Sequence, residues 1–156
     1  MKALQFMSPN VMAVNDIATP KIADDEVLLA SRSVGICHSD IELLEGRYII
    51  PFNYPIIPGH EWSAEVMEVG SKVSKLKAGD RVVGECVIGQ EHFGFSISGA
   101  MAQFFIAKAD WLHLIAAHVL LISYMHLDQK QRVRFFESHL FLNVNMKRMV
   151  KIKAGI

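Results

Sequence analysis

Two short segments of the sequence carry side chains that can bind a transition metal. Residues 34–40 read VGICHSD and contain Cys37, and residues 58–61 read PGHE and contain His60 and Glu61. A thiolate, an imidazole and a carboxylate suit a catalytic zinc site, which has three protein ligands and one open position. A single cysteine is also a common small apolar residue of protein cores, so the spacing alone leaves both interpretations open.

Cys37 stands between a predicted strand and a predicted helix. The helix is expected over HSDIELLEG, where Ser39 or Asp40 can cap its start and Gly46 can end it. A helix N-terminus stabilises a thiolate, which is the form of cysteine that binds zinc. Asp40 is also suited to hold the second ring nitrogen of a metal-binding histidine. These features are compatible with a metal-binding role for Cys37, and they leave a packing role open.

The motifs of several other enzyme classes are missing. The stretch HEWSA lacks the second histidine of H-E-x-x-H zinc proteases, because Ala64 stands in its place. There is no G-x-S-x-G turn to support a hydrolase serine. Neither G-x-G-x-x-G nor G-x-x-x-x-G-K-[ST] occurs, so the sequence shows no recognisable phosphate-binding loop.

The composition indicates a globular domain without an obvious charged partner. Apolar residues make up 51% of the 156 residues and the formal net charge is zero, which gives no reason to expect nucleic acid or an anionic membrane. The most apolar window, at 111–125, is shorter than the roughly 18 residues that span a bilayer, and the N-terminus does not read as a secretory signal. The 2 cysteines form no disulfide framework. We therefore expect a cytoplasmic protein.

Most of the chain has the pattern of short strands. Up to about residue 115, alternating apolar runs are separated by Gly, Pro and Asp, which predicts a mostly β fold, a compact barrel with short helices. The last part is different, since Leu121, Met125, Val133 and Phe136 recur at helical spacing. This predicts an amphipathic helical tail, and a packing helix with a basic exposed face is favoured over an apolar surface that drives self-association.

Three segments together resemble a known family. VGICHSDIELLEGRY, PIIPGHEWSAEVMEVGSKVSKLKAGDRVVG and FFIAKADWLHLI look like the N-terminal catalytic domain of zinc-dependent medium-chain alcohol and polyol (sorbitol-type) dehydrogenases. The resemblance covers residues 1–119 and implies a GroES-like β-barrel, followed by a divergent helical tail at 120–156.

The resemblance also implies site residues, cofactors and a substrate. By position, Cys37 and His60 match catalytic zinc ligands, and Glu61 matches the adjacent carboxylate that approaches or ligates the metal. Ser39 matches the hydroxyl that relays the alcohol proton, and Asp40 matches the partner of the ligating histidine. The implied reaction is oxidation of a small alcohol or polyol. Zn²⁺ would lower the pKa of the hydroxyl toward neutrality, and hydride would pass to NAD(P) in a full-length relative.

The sequence departs from this family at three places. The family places a Rossmann domain after the barrel, but the residues after His118 hold no glycine fingerprint, so we expect the chain alone to be inactive as a dehydrogenase. In polyol-type members a glutamate ligand follows the His-Val step by nine residues, which here reaches Asp128, with His126 as an alternative. The segment 90–98, QEHFGFSIS, replaces the lobe that often holds a structural zinc, and Cys86 is expected to be a packing residue.

A non-catalytic role is the alternative. A GroES-like module could retain the scaffold and act through self-association or partner binding. The apolar tail at 120–156 is then a candidate cover for the barrel or a segment exchanged in a homo-oligomer.

Overall fold

The computed structural model describes residues 1–115 of the chain. The predicted helical tail at 120–156, the homo-oligomer contact expected from it, and the candidate ligands Asp128 and His126 lie outside the described residues. Within residues 1–115, neither helical element has the length and hydropathy of a membrane span.

Strands dominate residues 1–115, which confirms the predicted mostly β fold. The strands are β1 (Lys2–Ser8), β2 (Val11–Asp16), β3 (Glu26–Val34), β4 (Trp62–Val69), β5 (Arg81–Gly84), β6 (Val87–Ile88), β7 (Glu91–His92), β8 (Phe104–Lys108) and β9 (Leu112–Leu114). The helical elements are α1 (His38–Glu45) and a 3-10 turn (Ala109–Trp111). Beta-branched and other apolar residues fill the longer strands, as is typical of half-buried sheet positions.

An antiparallel sheet brings the two candidate metal-binding segments together. Its strand order is β8-β3-β4-β5-β9, and β1–β2 and β6–β7 form separate hairpins. Val34, the last residue of β3, pairs with Trp62, the first residue of β4. Because antiparallel partners end and begin at the same sheet edge, the residues just after β3 and just before β4 must lie close together. Cys37 follows β3 and His60 precedes β4, so the register alone makes them neighbours.

The core lies under this sheet and fixes its central strands. Val27 and Leu29 of β3, Val66 of β4 and Val82 of β5 are almost completely buried. Burial of one such side chain contributes about 1.5–3 kcal/mol. Trp62 also belongs to an aromatic cluster, with ring centroids 5.5 Å from Phe93 and 4.8 Å from Phe105. The start of β4, next to His60, is therefore anchored in the core.

Three glycines let the backbone before His60 pack directly on a second loop. A Cβ on Gly94 would lie 2.9–3.0 Å from backbone atoms of Gly59, and a Cβ on Gly99 would lie 2.6 Å from the carbonyl oxygen of Pro58. The amides of Ala100 and Met101 donate to the carbonyl oxygens of Gly59 and Pro58, at 2.9 and 3.0 Å. The segment 58–60 is thus held by backbone contacts that leave no room for a Cβ atom at Gly94 or Gly99.

We expect Gly99→Ala to destabilise the fold strongly. The new methyl group would overlap backbone carbonyl groups that cannot rotate away, so the loss should reach about 3 kcal/mol, the upper end of the usual cost of overpacking. Urea unfolding measures this loss. Gly79→Ala is the matched control, because nothing lies within 4 Å of its Cβ position and only its positive φ of 90° opposes the substitution. That control should lose about 1 kcal/mol. Equal losses for the two variants would contradict the packing argument.

Candidate metal centre

Cys37 caps helix α1, and Asp40 completes the cap. Cys37 is extended, with φ −98° and ψ 162°, and its backbone N–H donates to Oδ2 of Asp40 at 2.9 Å. The prediction that Ser39 or Asp40 would be the N-cap is therefore wrong: the N-cap is Cys37, two residues before Ser39, and Asp40 reaches back to it from the first turn of the helix. The predicted end is confirmed, because Gly46 adopts the left-handed conformation with φ 76°.

The same carboxylate faces His60. Asp40 is 0% exposed and His60 is 6% exposed. Oδ1 of Asp40 lies 3.5 Å from Nδ1 of His60, and both atoms are buried without a hydrogen-bond partner. Since this distance is long for a hydrogen bond, the two groups oppose each other without forming a tight pair. Nδ1 of His60 is directed at Asp40, which leaves Nε2 for a second partner.

Three potential metal ligands converge at this point. A sulfur of Cys37, a ring nitrogen of His60 and a carboxylate oxygen of Glu61 all lie within 4.8 Å of one another. Nε2 of His60 is 3.9 Å from Oε1 of Glu61. Glu61 is held against Gly35, whose N–H donates to the Glu61 carbonyl at 2.6 Å and whose Cβ position is 2.7 Å from Oε2 of Glu61. The structure thus brings together the three ligands that the sequence predicts within residues 1–115.

The charge distribution fits a bound cation. Among the described residues, Asp40 and Glu61 have ion-pair contacts within 4 Å only with His60. A buried carboxylate without a compensating charge is costly, and a divalent cation would be the largest positive charge in such a site. Thiolate, imidazole and carboxylate donors are the set that zinc prefers. The unpartnered Nδ1–Oδ1 pair also fits, because a metal-bound imidazole donates its other N–H to a carboxylate.

Ser39 lies beside the cluster. Its Oγ is 3.7 Å from Sγ of Cys37, and the side chain is half-buried in the first turn of α1. A hydroxyl at this position can exchange a proton with a molecule bound near Cys37, since hydroxyl groups both donate and accept.

Two aromatic residues at the site were not identified from the sequence. The ring of Phe95 lies 4.5 Å from the imidazole of His60, and Tyr48 stacks on Phe95 at 4.4 Å and 14°. Burial raises the pKa of Tyr48, and the nearby Cys86, Cys37, Glu42 and Asp40 raise it further. The only sequence signal was the pair of phenylalanines around Gly94 in an otherwise polar loop.

Cys86 packs close to the same cluster. It lies between β5 and β6, half-buried against the core, as a packing residue should. Burial raises the pKa of its thiol to about 11, and Asp40, Glu61 and Cys37 raise it in the same direction. The thiol is therefore protonated at neutral pH, unlike the reactive or metal-binding form of cysteine.

Comparisons with known proteins agree with this fold and site. The family described as "Alcohol dehydrogenase GroES-like domain" matches residues 23–117. The chain is 34% identical over 139 residues to a D-arabitol-phosphate dehydrogenase of Enterococcus avium, covering 76% of this chain and 39% of that protein. It is 33% identical over 126 residues to an alcohol dehydrogenase of Geobacillus stearothermophilus, covering 69% and 37%.

A solved structure has a similar fold. The 2R,3R-butanediol dehydrogenase of Bacillus subtilis superposes with a TM-score of 0.68 at 25% identity, covering 74% of this chain and 40% of that one. The predicted GroES-like architecture is therefore confirmed for the described residues. The chain spans about two fifths of the length of the curated relatives it matches.

We expect Cys86 to react slowly with iodoacetamide in the folded chain. With its pKa raised from 9.0 to about 11, its thiolate fraction near pH 7.5 falls about a hundredfold, because that fraction changes tenfold per pH unit below the pKa. Mass spectrometry of the peptide that contains Cys86 measures the rate, which should keep rising up to about pH 11.

The urea-unfolded chain is the control, because there the same thiol should titrate near its ordinary value. A raised pKa in the folded state also means that ionisation opposes folding, so stability should fall as the pH rises from about 9 to about 11. A rate that levels off near pH 9 in the folded chain would contradict this prediction.

Proposed function

We propose a function from one premise: this chain belongs to the alcohol dehydrogenase GroES-like domain family. It acts as the zinc-binding catalytic domain of an oxidoreductase that oxidises alcohols or polyols. The observation that carries the proposal is the convergence of Cys37, His60 and Glu61, whose donor atoms lie within 4.8 Å of one another.

Each residue of the cluster has a proposed role. Cys37 binds zinc as the thiolate, and His60 binds through Nε2, the nitrogen turned away from Asp40. Glu61 is the adjacent carboxylate that ligates the metal or approaches it. Asp40 is a positioning residue, since it accepts the backbone N–H of Cys37 and faces Nδ1 of His60. Asp128 stays a predicted further ligand outside the described residues.

The chemistry proposed for this site is proton removal followed by hydride loss. Zinc, when bound, supplies Lewis acidity that lowers the pKa of an alcohol hydroxyl. Ser39, beside Cys37, accepts the alcohol proton and passes it toward solvent. The hydride acceptor is proposed to be NAD(P), because a nicotinamide carries the redox step in such reactions.

The proposed substrate class is a small alcohol or polyol. The curated relatives include dehydrogenases named for D-arabitol phosphate and for D-altritol, together with alcohol dehydrogenases. The substrates in these names carry hydroxyl groups. Three protein ligands would leave an open position on the zinc, where a hydroxyl oxygen could bind. The names of the relatives and the proposed open metal position both support this substrate class.

We expect the purified chain to bind about one zinc ion. Cys37→Ser and His60→Ala each remove one of the proposed ligands, so both variants should lose most of the metal. Metal analysis by mass spectrometry after dialysis against zinc-free buffer measures the stoichiometry. Cys86→Ser is the matched control, because it also removes a half-buried cysteine near the cluster but should keep about one zinc.

The circular dichroism spectrum is recorded alongside, to separate metal loss from unfolding. A folded wild-type chain that stays metal-free in zinc-replete buffer would refute the proposed function. Equal zinc loss in Cys37→Ser and Cys86→Ser would refute the assignment of Cys37 as a ligand.

We expect the 156-residue polypeptide on its own to form no NAD(P)H from alcohols. Its sequence holds no G-x-G-x-x-G turn to bind the pyrophosphate of a dinucleotide, although the proposed zinc site is complete enough to bind metal. The assay follows NAD(P)H formation by absorbance at the nicotinamide band. It is run with several alcohols and polyols and with either coenzyme. Steady NAD(P)H formation that disappears in Cys37→Ser would show that the chain is a complete dehydrogenase.

A further inference from the structure

The loop between β7 and β8 carries two buried phenylalanines with different neighbours. Phe93 and Phe95 are each 1% exposed and are separated only by Gly94. Phe93 contacts Trp62 and Phe105, at centroid distances of 5.5 and 5.7 Å, so it belongs to the core cluster. Phe95 instead contacts the metal centre. The loop thus places one ring in the core and the next beside the site.

Phe95 makes a close ring contact with His60. The two ring centroids lie 4.5 Å apart, with an angle of 39° between the planes. On Phe95 itself Tyr48 stacks at 4.4 Å and 14°. Both centroid distances are at the short end of the range for aromatic pairs, which favour offset or tilted contacts.

The contact with Phe95 matters because Asp40, the other neighbour of the His60 ring, restrains the ring orientation only weakly. The second torsion of a histidine side chain has a broad energy profile, so the ring plane is not set by its own rotamer. Oδ1 of Asp40 lies 3.5 Å from Nδ1, too far to fix the ring by a tight hydrogen bond. Asp40 limits the imidazole ring at its Nδ1 edge, and the ring of Phe95, 4.5 Å away, limits its tilt.

The backbones that carry the two rings are themselves in contact. A Cβ on Gly94 would lie 2.9–3.0 Å from Gly59, the residue before His60. The carbonyl oxygen of His92 accepts the N–H groups of Phe95 and Ser96 at 3.0 and 2.9 Å. The backbone of Phe95 therefore cannot shift away from His60 without breaking its hydrogen bond to His92 or moving Gly94 away from Gly59.

We propose that Phe95 is a positioning residue of the metal centre: its ring sets the orientation in which His60 directs Nε2 toward Cys37 and Glu61. The inference rests on the proposed function, because it concerns the same metal site. Supporting side chains that orient a metal ligand typically change metal affinity by about 10–100-fold when they are replaced.

The test compares Phe95→Leu with Phe93→Leu in the full chain, with Co²⁺ in place of zinc. The two variants remove rings of the same size, equally buried and two positions apart, so their effects on folding should be similar. Visible absorption of Co²⁺ reports ligand type and geometry. We expect Phe95→Leu to weaken Co²⁺ binding about tenfold and to change the spectrum. Phe93→Leu should leave the Co²⁺ affinity and the spectrum unchanged. Phe95→Tyr keeps the ring and should retain the wild-type affinity and spectrum.

The possible results separate this inference from the proposed function. If wild type and Phe95→Leu bind Co²⁺ with the same affinity and spectrum, Phe95 has no positioning role, although the metal site stands. A change of the same size in Phe93→Leu also overturns the role, since the effect is then one of general packing. A wild-type chain that binds neither Co²⁺ nor zinc overturns the proposed function and this inference together. If Phe95→Leu does not fold, Phe95→Met replaces it, because the flexible Met side chain fills irregular core space better.

Discussion

The arrangement of the site depends on the buried carboxylate of Asp40. One oxygen accepts the N–H of Cys37 and so starts helix α1, while the other faces the imidazole of His60. A carboxylate that is 0% exposed is costly to bury unless hydrogen bonds or positive charge compensate it. The helix cap supplies part of this compensation. A bound cation would supply more of it, which links the local structure at Cys37 to the chemistry proposed for the centre.

The rest of the fold brings the partners of Asp40 to it. The pairing of Val34 with Trp62 places the end of β3 and the start of β4 side by side, and burial of Trp62 anchors that edge. The backbone contact between Gly59 and Gly94 then restricts the position of His60. Sheet register gives the coarse position of the ligands, and close backbone packing gives the fine position. Both the sheet register and the backbone packing involve residues other than the candidate ligands Cys37, His60 and Glu61.

The sequence predicted the features that have a local cause. The strands and the helix end at Gly46 follow from periodicity and turn residues. The grouping of Cys37 with His60 and Glu61 is not local, and it was predicted only from the resemblance to a family. The N-cap was misassigned because Asp40 reaches backward, a choice that depends on tertiary contacts as well as residue type. The contact of Phe95 with His60 joins segments far apart in the chain, and no local pattern encodes it. The ligand role of Asp128 stays a prediction.

The short β6–β7 hairpin has a consequence for how this domain can vary. Its base is closed by the hydrogen bond from the N–H of Phe93 to the carbonyl of Cys86, at 2.8 Å. Beyond that bond, Val87, Gly89 and Gln90 are exposed, and nothing lies within 4 Å of the Cβ position of Gly89. Exposed loop tips are the places where chains best accept extra residues. Extra residues could therefore accumulate at this tip over evolutionary time, or be grafted there as a reporter peptide, away from the rings and glycines below it.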